Sequence, residues 1–475
     1  MLAGSCSRQP AAQAQRIAVV RFENLTGDAS LDWISNAAAA ILASEWRGAT
    51  LAQAPRDGYP ERAARVAQGY FEKRGAGLRF QVVMEDLGRR KITEEEAANG
   101  EPLAAVSAIA KRIDSKAGPF STGNAEAVEA WGQGQFERAV NLDPDFGAAW
   151  LNWAESAAAQ GNARGALEIA SRALMQPGLR SKVNRAQIEL LAAGIRGDNQ
   201  GRIAALQELT DLIPGDPNAL RTLAGAEFQA RLFAPAANTY RQLAQADPAD
   251  PSAFNMLGYA QACAGEAEQA RKSLEEYGRR SGENVNALDS LGEAMFLNGQ
   301  FREAEKAFMD GYRKAPAFLQ NGELWKAAHA RWLNGDLPGA DQLMAQYVTA
   351  RRRARDPLAA WRQANWLYET GRKEAASALL SREPQSELIK RQLAVWKDPD
   401  AAVPRDLDVL KQLYERSEPV HDQLARTLYA AALAEAGRKE EARKLIALWP
   451  IPEPGNTPLD SLVYPRFLDL RNELR

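Results

Sequence analysis

The sequence predicts a small α+β amino-terminal domain followed by a right-handed superhelix of paired α-helices, an all-α solenoid. Three observations lead to this fold class. A β-branched run and a period-two alternation lie within roughly the first 100 residues. Farther along, a similar triplet recurs at an interval of 34 residues, and this part of the chain is rich in alanine. Alanine favours helices and lets them pack closely.

The first 15 residues form a predicted polar tether around Cys6. The small residues Ala3, Gly4 and Ser5 lead directly into Cys6, which resembles the end of a bacterial lipoprotein signal. That resemblance implies a lipidated Cys6 and a place in the periplasm or at the outer membrane. Only five residues precede Cys6, so the basic and apolar parts of a signal are not in the sequence. A cytoplasmic protein with an incidental cysteine is the alternative.

Residues 16–120 are predicted to fold as a small α/β domain. The β-branched residues 16–22 predict a buried strand, and residues 31–46 predict a helix with Ser30 as its N-cap. Pro102 can open a second helix at its first turn. Between the two helices, four further strands are predicted at residues 49–53, 65–71, 78–85 and 91–95.

The stretch from residue 16 to residue 34 resembles the TolB amino-terminal-like domain that precedes tetratricopeptide arrays in bacterial proteins. Arg21 stands where a proline is common in that family. The resemblance implies an interaction or assembly domain without assigned catalysis. It is carried by Ile17, Ala18, Val19, Phe22, Asn24, Leu25, Thr26, Gly27, Asp28, Leu31 and Trp33.

Residues 124–450 are similar to a tetratricopeptide repeat array. The triplets beginning at Asn218, Ser252 and Asn286 are spaced by the 34 residues of that repeat, which is built of helix pairs. In the best unit, Gly299 ends the first helix and Pro316 follows the second. Eight units can be placed in this frame.

Three segments fit the repeat frame less well. Residues 125–142 are predicted to be a lone second helix ahead of the array, and residues 386–396 and 407–415 an irregular helix pair. Residues 451–475 contain three prolines and then an apolar stretch. We expect them to cap the end of the superhelix, because terminal repeats need an atypical outer face. A docking segment for a partner is the alternative.

The first helix of each pair is expected to line a concave groove in this fold. The inward positions can be read from the repeat frame, and the later units place several aromatic residues there. The predicted groove residues are Asn255, Tyr259, Asn286, Asp289, Glu293, Phe296, Trp325, His329, Trp332, Trp361, Asn365 and Tyr368.

These side chains suit recognition of a protein or peptide segment. Aromatic rings offer a large contact area at low entropic cost and dominate interface hot spots. Asparagine amides can hold a peptide backbone by paired hydrogen bonds. Packing within the superhelix is the alternative role for the same aromatic side chains.

Charge and motifs exclude several functional classes. Lys and Arg number 59 and Asp and Glu 61, so no nucleic-acid partner is expected. No nucleophile elbow, zinc helix, paired-cysteine motif or phosphate loop is present in the sequence, which predicts no catalytic residue, cofactor or metal. Cys263 lies between two alanines and is expected to be a small core residue. The only predicted membrane contact is a lipid on Cys6.

The sequence therefore predicts a non-enzymatic protein-interaction scaffold that binds a partner segment in the groove. We expect it in the bacterial cell envelope if Cys6 is lipidated. Two alternatives remain open. One is a cytoplasmic signalling adaptor that acts in trans with a kinase or a transcription regulator. The other is a carbohydrate-binding protein that stacks sugars on the aromatic residues of the groove.

Overall fold

The computed structural model divides the chain into two compact units, Met1–Ala226 and Glu227–Arg475. It confirms the predicted fold class, because a small α/β domain is followed by stacked helix pairs. Cys6 lies outside the described residues, and none of the helices described is long and apolar enough to span a membrane. The structure describes residues 17–46, 49–52, 63–179, 181–282 and 284–475.

The α/β domain contains one mixed sheet with the strand order β3-β1-β4-β5-β6, and β2 pairs with β4. Strand β1 is parallel to both of its neighbours, whereas β4, β5 and β6 form an antiparallel meander. The five predicted strands are thus present, with a short sixth. Strands β1 to β6 are Ile17–Val20, Glu23–Asn24, Ala49–Ala52, Arg65–Arg74, Gly77–Asp86 and Lys91–Asn99.

One face of the sheet packs against helices α1 (Trp33–Glu45) and α2 (Pro102–Ile113). The alternation in β5 explains this, because Phe80, Val82 and Met84 point to one side and are fully buried. Their side chains share a hydrophobic core with residues of both helices.

The prediction that Ser30 is an N-cap is wrong. A 3-10 turn at Ala29–Leu31 precedes α1, and Asp28 caps that turn. The carboxylate of Asp28 accepts hydrogen bonds from the backbone N–H and the hydroxyl of Ser30. An ionised acceptor bonds the N–H groups of a helix start more strongly than a hydroxyl does.

Hydrogen bonds between nearby residues hold the loop that follows β2. The side chain of Asn24 donates to the Asp28 carbonyl and accepts from the backbone N–H and hydroxyl of Thr26. The hydroxyl of Thr26 in turn accepts from the backbone N–H of Asp28. These contacts give Asn24, Thr26 and Asp28 a structural role in shaping one turn.

Within the first unit the α/β domain packs directly on the helices that follow it. Phe120 lies in the connection, and its ring centroid is 5.7 Å from the centroids of both Trp131 and Phe146. Trp33 of α1 also lies against Gly132, where a side chain would clash with the indole ring. The connection between the domain and the helices is therefore part of a packed core.

The prediction of a lone helix at residues 125–142 is wrong, because these residues form a complete helix pair. Gly134, at φ +76°, ends the first helix, a conformation that glycine adopts without strain. The helices of the first unit, α3 to α8, are Ala125–Gly132, Phe136–Leu142, Gly147–Ala159, Ala163–Leu174, Lys182–Arg196 and Asn199–Leu212.

Helix α9 (Pro217–Gln229) contains the boundary between the units, and the second unit continues with further pairs. The predicted irregular pair at residues 386–396 and 407–415 is observed as α19 and α21, with one short helix between them. Helices α10 to α24 are Phe233–Ala246, Pro251–Cys263, Ala267–Arg280, Val285–Leu297, Phe301–Lys314, Gly322–Leu333, Leu337–Arg353, Ala359–Glu369, Lys373–Ser381, Glu387–Lys397, Pro399–Ala402, Leu407–Arg416, Gln423–Glu435, Lys439–Leu445 and Val463–Glu473.

Small residues in the first helices permit the close packing of each pair. A Cβ atom added to Gly292 of α13 would lie 2.3 Å from the ring of Phe308 in α14. A Cβ atom added to Gly258 of α11 would likewise clash with the side chain of Leu274 in α12. Gly258 and Gly292 therefore mark the points where a large side chain of the second helix fills the space beside the first helix.

Candidate binding face of the second unit

The twelve predicted groove residues lie on the first helices of four pairs, which are α11, α13, α15 and α17. We call these twelve residues the wall. Contacts between neighbouring helices show that many of these side chains share one surface. The Tyr259 hydroxyl on α11 donates to Glu293 on α13 at 2.6 Å. His329 on α15 lies 3.0 Å from Glu369 on α17, between Nε2 and Oε2.

The large side chains of the wall are not open to solvent. Phe296 and His329 are fully buried, and Trp325, Trp361 and Tyr368 are at most 3% exposed. The sequence predicted an open groove at these positions. The difference has two causes. Neighbouring helices cover part of the wall, since Trp325 packs against Tyr347 of α16 and Tyr368 stacks on Trp396 of α19. The final part of the chain covers another part, because it folds back so that Tyr464 lies against His329. The role of these residues in binding a partner stays a prediction.

Residues 449–464, which we call the C-terminal segment, cross the wall. The Trp449 backbone N–H donates to the Leu297 carbonyl at the end of α13, at 2.9 Å. The Trp449 ring packs edge-on against Phe301, with centroids 4.8 Å apart. These contacts fix one end of the segment.

The other end of the segment is fixed by Tyr464. Its ring centroid lies 5.0 Å from that of His329 and 5.7 Å from that of Trp332. The Tyr464 hydroxyl donates to the Pro450 carbonyl at 2.6 Å, so the two ends of the segment are also tied to each other.

Between these two ends, α17 and α19 contact the segment. Gln392 of α19 donates to the Pro458 carbonyl and to the Ser461 hydroxyl, each at 3.1 Å. Leu462 belongs to the same hydrophobic core as Trp361 of α17. The predicted capping residues Phe467 and Leu470 pack in a separate core with the last helix pair, α22 and α23.

A buried cluster of charges lies under this covered surface. The ammonium group of Lys326 is 2.5 Å from Asp289 Oδ1 and 2.5 Å from Glu293 Oε1. Burial lowers the pKa of Lys326, but the two carboxylates outweigh burial and the pKa lies above its ordinary value. Lys326 is absent from the predicted groove residues, although its position one residue after Trp325 could have drawn attention to it.

The carboxyl groups of the cluster differ in pKa because burial, neighbouring carboxylates and Lys326 affect each of them to a different degree. Burial opposes ionisation of Glu293, but Lys326 holds its pKa below the ordinary value. Burial and the charge of Glu293 raise the pKa of Asp289 to about 6. Burial and the charge of Asp289 raise the pKa of Glu323 to about 9, so Glu323 is protonated at neutral pH.

His421 and Glu453 join this cluster from the C-terminal part of the chain. His421 Nδ1 is 2.5 Å from Glu453 Oε1. Burial lowers the pKa of His421, whereas Glu453 and Glu293 raise it, with a net value of about 9. One possible ligand atom from each of Glu293, His421 and Glu453 lies within 4.8 Å of the other two, which is a spacing that metal ligands have. Glu293 is already engaged by Lys326 and Tyr259, so we interpret the group as ion pairs rather than a metal site.

Arg231 and Asp422 join the start of the second unit to its end. Arg231 Nη1 donates to Asp422 at 2.7 Å, and Nη2 donates to the Tyr414 carbonyl at 2.7 Å. Asp422 also accepts from Arg426 Nε at 2.9 Å, and Arg426 reaches the Leu448 carbonyl, just before the C-terminal segment. The sequence carried a signal for this network, because Arg231 stands where other repeats have glycine.

Three polar atoms of the wall lack a hydrogen-bond partner among the described residues, and Asn255 Oδ1 is one of them. The Trp325 indole Nε1 and the Asn365 side-chain Oδ1 are buried, and no hydrogen bond to either comes from the residues that the structure describes. By contrast, the Trp361 indole donates to Gln392 at 2.9 Å. A buried polar atom without a hydrogen bond costs about 1–3 kcal/mol, so the segment does not satisfy the wall completely.

The free thiol of Cys263 is buried in α11, as predicted for a core residue. Burial and the charge of Asp422 raise its pKa to about 12. The thiol is therefore protonated at neutral pH and is a poor nucleophile.

Comparison with known proteins finds similarity only to solved structures, and the three described below each have a low TM-score. No family model matches the sequence, and no curated protein matches it. The MamA protein is 18% identical in its solved structure, which has a TM-score of 0.32 and covers 37% of this chain and 96% of that chain. A tetratricopeptide repeat protein from Parabacteroides merdae is 14% identical, with a TM-score of 0.37, covering 53% of this chain and 99% of its own.

A third solved structure is that of YrrB, described as a TPR protein with an unusual peptide-binding site. It is 12% identical with a TM-score of 0.28, and the match covers 47% of this chain and 94% of YrrB. At TM-scores this low, nothing about the partner or activity of this chain follows from the three structures. The helix pairs of this chain are established by its own structure.

Proposed function

We propose that the chain is a non-enzymatic scaffold that binds a polypeptide partner on the wall of its second unit. One observation carries this proposal: the wall already holds a stretch of polypeptide, the C-terminal segment. Trp449 and Tyr464 anchor that stretch, and the Leu297 carbonyl and the Gln392 amide bind its backbone.

The physical basis of such binding is a surface that helix pairs hold in place. Large aromatic side chains supply contact area, and neighbouring polar groups fix the register of a bound chain. Because the four helices are packed before a ligand arrives, little ordering entropy is lost on binding. No comparable observation favours stacking of sugars, since the Trp325 and Trp361 rings are each 2% exposed.

Photo-crosslinking tests this proposal in the full-length chain. Trp332 is half-buried at the edge of the covered surface, so a benzoylphenylalanine at this position can report a bound partner. The control places the same group at Lys306, whose side chain is 78% exposed on the second helix α14. We expect a discrete crosslinked partner from position 332 and not from 306, and purified partner should bind the Trp332→Ala chain at least about tenfold more weakly. Equal crosslinking at both positions would contradict the proposal.

We also propose an envelope location for this scaffold, on the resemblance of the sequence around Cys6 to a lipoprotein signal. Multiple acyl chains would give stable membrane anchoring. Metabolic labelling with a fatty acid should mark the native chain and fail to mark the Cys6→Ser variant. Equal labelling of both chains, or labelling of neither, would favour the cytoplasmic alternative.

A further inference from the structure

The first part of the C-terminal segment has the features of an extended ligand, whereas Pro458–Leu462 form a 3-10 helix and Tyr464 lies in α24. Residues 449–455 read WPIPEPG and form neither helix nor strand. Each residue before a proline is restricted to extended backbone, and proline itself has a fixed φ and no N–H group. A segment of this type loses little conformational entropy when it binds, which is the basis of proline-rich peptide recognition. Pro450, Ile451 and Pro452 are buried, so the apolar part of the segment is in contact.

The chain holds this segment at its two ends, and Gln392 of α19 also binds the turn that precedes Tyr464. Trp449 packs against Phe301 and lies over Gly299, where an added Cβ would approach its indole nitrogen to 3.0 Å. At the far end, Tyr464 lies against His329 and Trp332. In the part between them, Glu453 is exposed and pairs with His421, which is not a wall residue.

The fit of the segment leaves room for a better ligand. Trp325 Nε1 and Asn365 Oδ1 stay without a hydrogen bond from the described residues. A ligand that offers a hydrogen-bond acceptor to Trp325 Nε1, or a donor to Asn365 Oδ1, recovers part of the free energy lost by burying these atoms without a partner. The C-terminal segment is held at high effective concentration by its covalent link, so it can occupy the wall in spite of an imperfect fit.

From these observations we infer that the wall recognises an extended, proline-rich segment that begins with an aromatic anchor. A partner of this chemistry displaces the C-terminal segment, which is therefore a built-in competitor. The inference rests on the proposed binding function and adds to it the chemistry of the partner and the means of regulation. Binding of the partner then requires release of the Trp449 and Tyr464 contacts.

The probe for this inference is a fluorescent peptide of residues 447–466, with anisotropy as the readout. It is added to the intact chain and to a chain in which Trp449→Ala and Tyr464→Ala weaken the internal anchors. A chain tethered at millimolar effective concentration excludes micromolar peptide, so we expect at least about tenfold tighter binding to the weakened chain. A further Trp332→Ala substitution should remove that gain.

Because the weakened chain can lose its fold, a second form keeps every side-chain contact. A protease site inserted after Ala447, an exposed residue between α23 and the segment, allows the wild-type chain to be cut there. The cut chain should exchange its own fragment for excess labelled peptide, whereas the uncut chain should not. A matched peptide with Pro450, Pro452 and Pro454 replaced by alanine should bind more weakly.

The outcomes separate this inference from the proposed function. Failure of the peptide to bind both the weakened chain and the cut chain would overturn the inference. Equal binding of the wild-type and alanine peptides, or equal binding to intact and weakened chains, would also overturn it. If crosslinking at position 332 still yields a partner in that case, the scaffold function stands and only its proline-rich specificity fails.

Discussion

Arg231 occupies the position that glycine takes in neighbouring repeats, and it has the left-handed φ of +60° expected there. For a residue with a Cβ this conformation costs about 1–2 kcal/mol. The ion pair with buried Asp422 and the bonds to the Tyr414 and Ser417 carbonyls offset that cost. We therefore expect Arg231→Gly to destabilise the second unit by about 1–3 kcal/mol, measured by denaturant unfolding.

The matched control is Arg355→Gly. Arg355 has a similar φ of +58° but is exposed. Its replacement should relieve backbone strain and stabilise the chain by up to about 1 kcal/mol. Loss of stability in both variants by the same amount would show that the Arg231 network contributes nothing.

Glu323 gives a prediction of pH dependence at the residue scale. Its pKa is raised from 4.5 to about 9, so between these values the native state holds a proton that the unfolded state has lost. Stability therefore falls as pH rises through this range. Glu323→Gln removes the titration and keeps a donor toward Asp289, so it should stabilise the chain by about 1–3 kcal/mol at pH 8 and by much less at pH 5.

Glu293→Gln is the comparison for this experiment. Glu293 is a paired carboxylate, with Lys326 at 2.5 Å and the Tyr259 hydroxyl at 2.6 Å. Removing its charge should destabilise the chain by about 1–3 kcal/mol at pH 8. Thermal unfolding of the two variants across this pH range checks both signs. A stabilising Glu293→Gln or a destabilising Glu323→Gln would show that the charges are assigned wrongly.

At the scale of helices, close packing within a pair depends on glycine in the first helix. An alanine at Gly292 would place Cβ 2.3 Å from the Phe308 ring, so Gly292→Ala should cost about 1–3 kcal/mol. Gly225 in α9 has no atom within 4 Å of an added Cβ. Gly225→Ala should instead gain about 0.5–1 kcal/mol from helix propensity. Chemical denaturation of both variants tests the contrast, and equal effects would contradict it.

The sequence predicted helices and strands well where a local pattern determines them. The alternation of Phe80, Val82 and Met84 marked strand β5, and Gly299 and Pro316 marked the ends of the two helices of one pair. The prediction failed where a tertiary contact or a weak local signal determines the structure. Residues 125–142 read as one helix, although Gly134 divides them. Ser30 was predicted to be an N-cap. Asp28 is the actual cap because a 3-10 turn precedes α1, and the sequence pattern does not reveal that turn.

The candidate site was only partly predictable for a related reason. Helical periodicity placed Tyr259, Glu293 and His329 on adjacent first helices, and the structure brings their side chains onto one surface. The cover over that surface comes from residues more than 100 positions farther along the chain. Residues 451–475 offered prolines and apolar side chains, but such a pattern does not specify which surface they cover.

For the molecule as a whole, these contacts show that the chain itself covers the surface on which we propose that a partner binds. Exposed aromatic walls are liable to aggregate, and a covering segment avoids that exposure. Regulation then becomes a competition between an internal and an external segment, in which the covalent link favours the internal one. The strength of the Trp449 and Tyr464 contacts sets how readily a partner gains access.

Hydrogen exchange of the full-length chain tests the covered wall most directly. The Trp449 N–H lies outside any helix or strand, yet it donates to the Leu297 carbonyl of α13 at 2.9 Å. We predict that this amide exchanges at least about 100-fold more slowly than in the isolated peptide of residues 447–466, and that Tyr464→Ala removes much of the protection. Exchange of Trp449 at the rate of the free peptide would show that the segment does not occupy the wall.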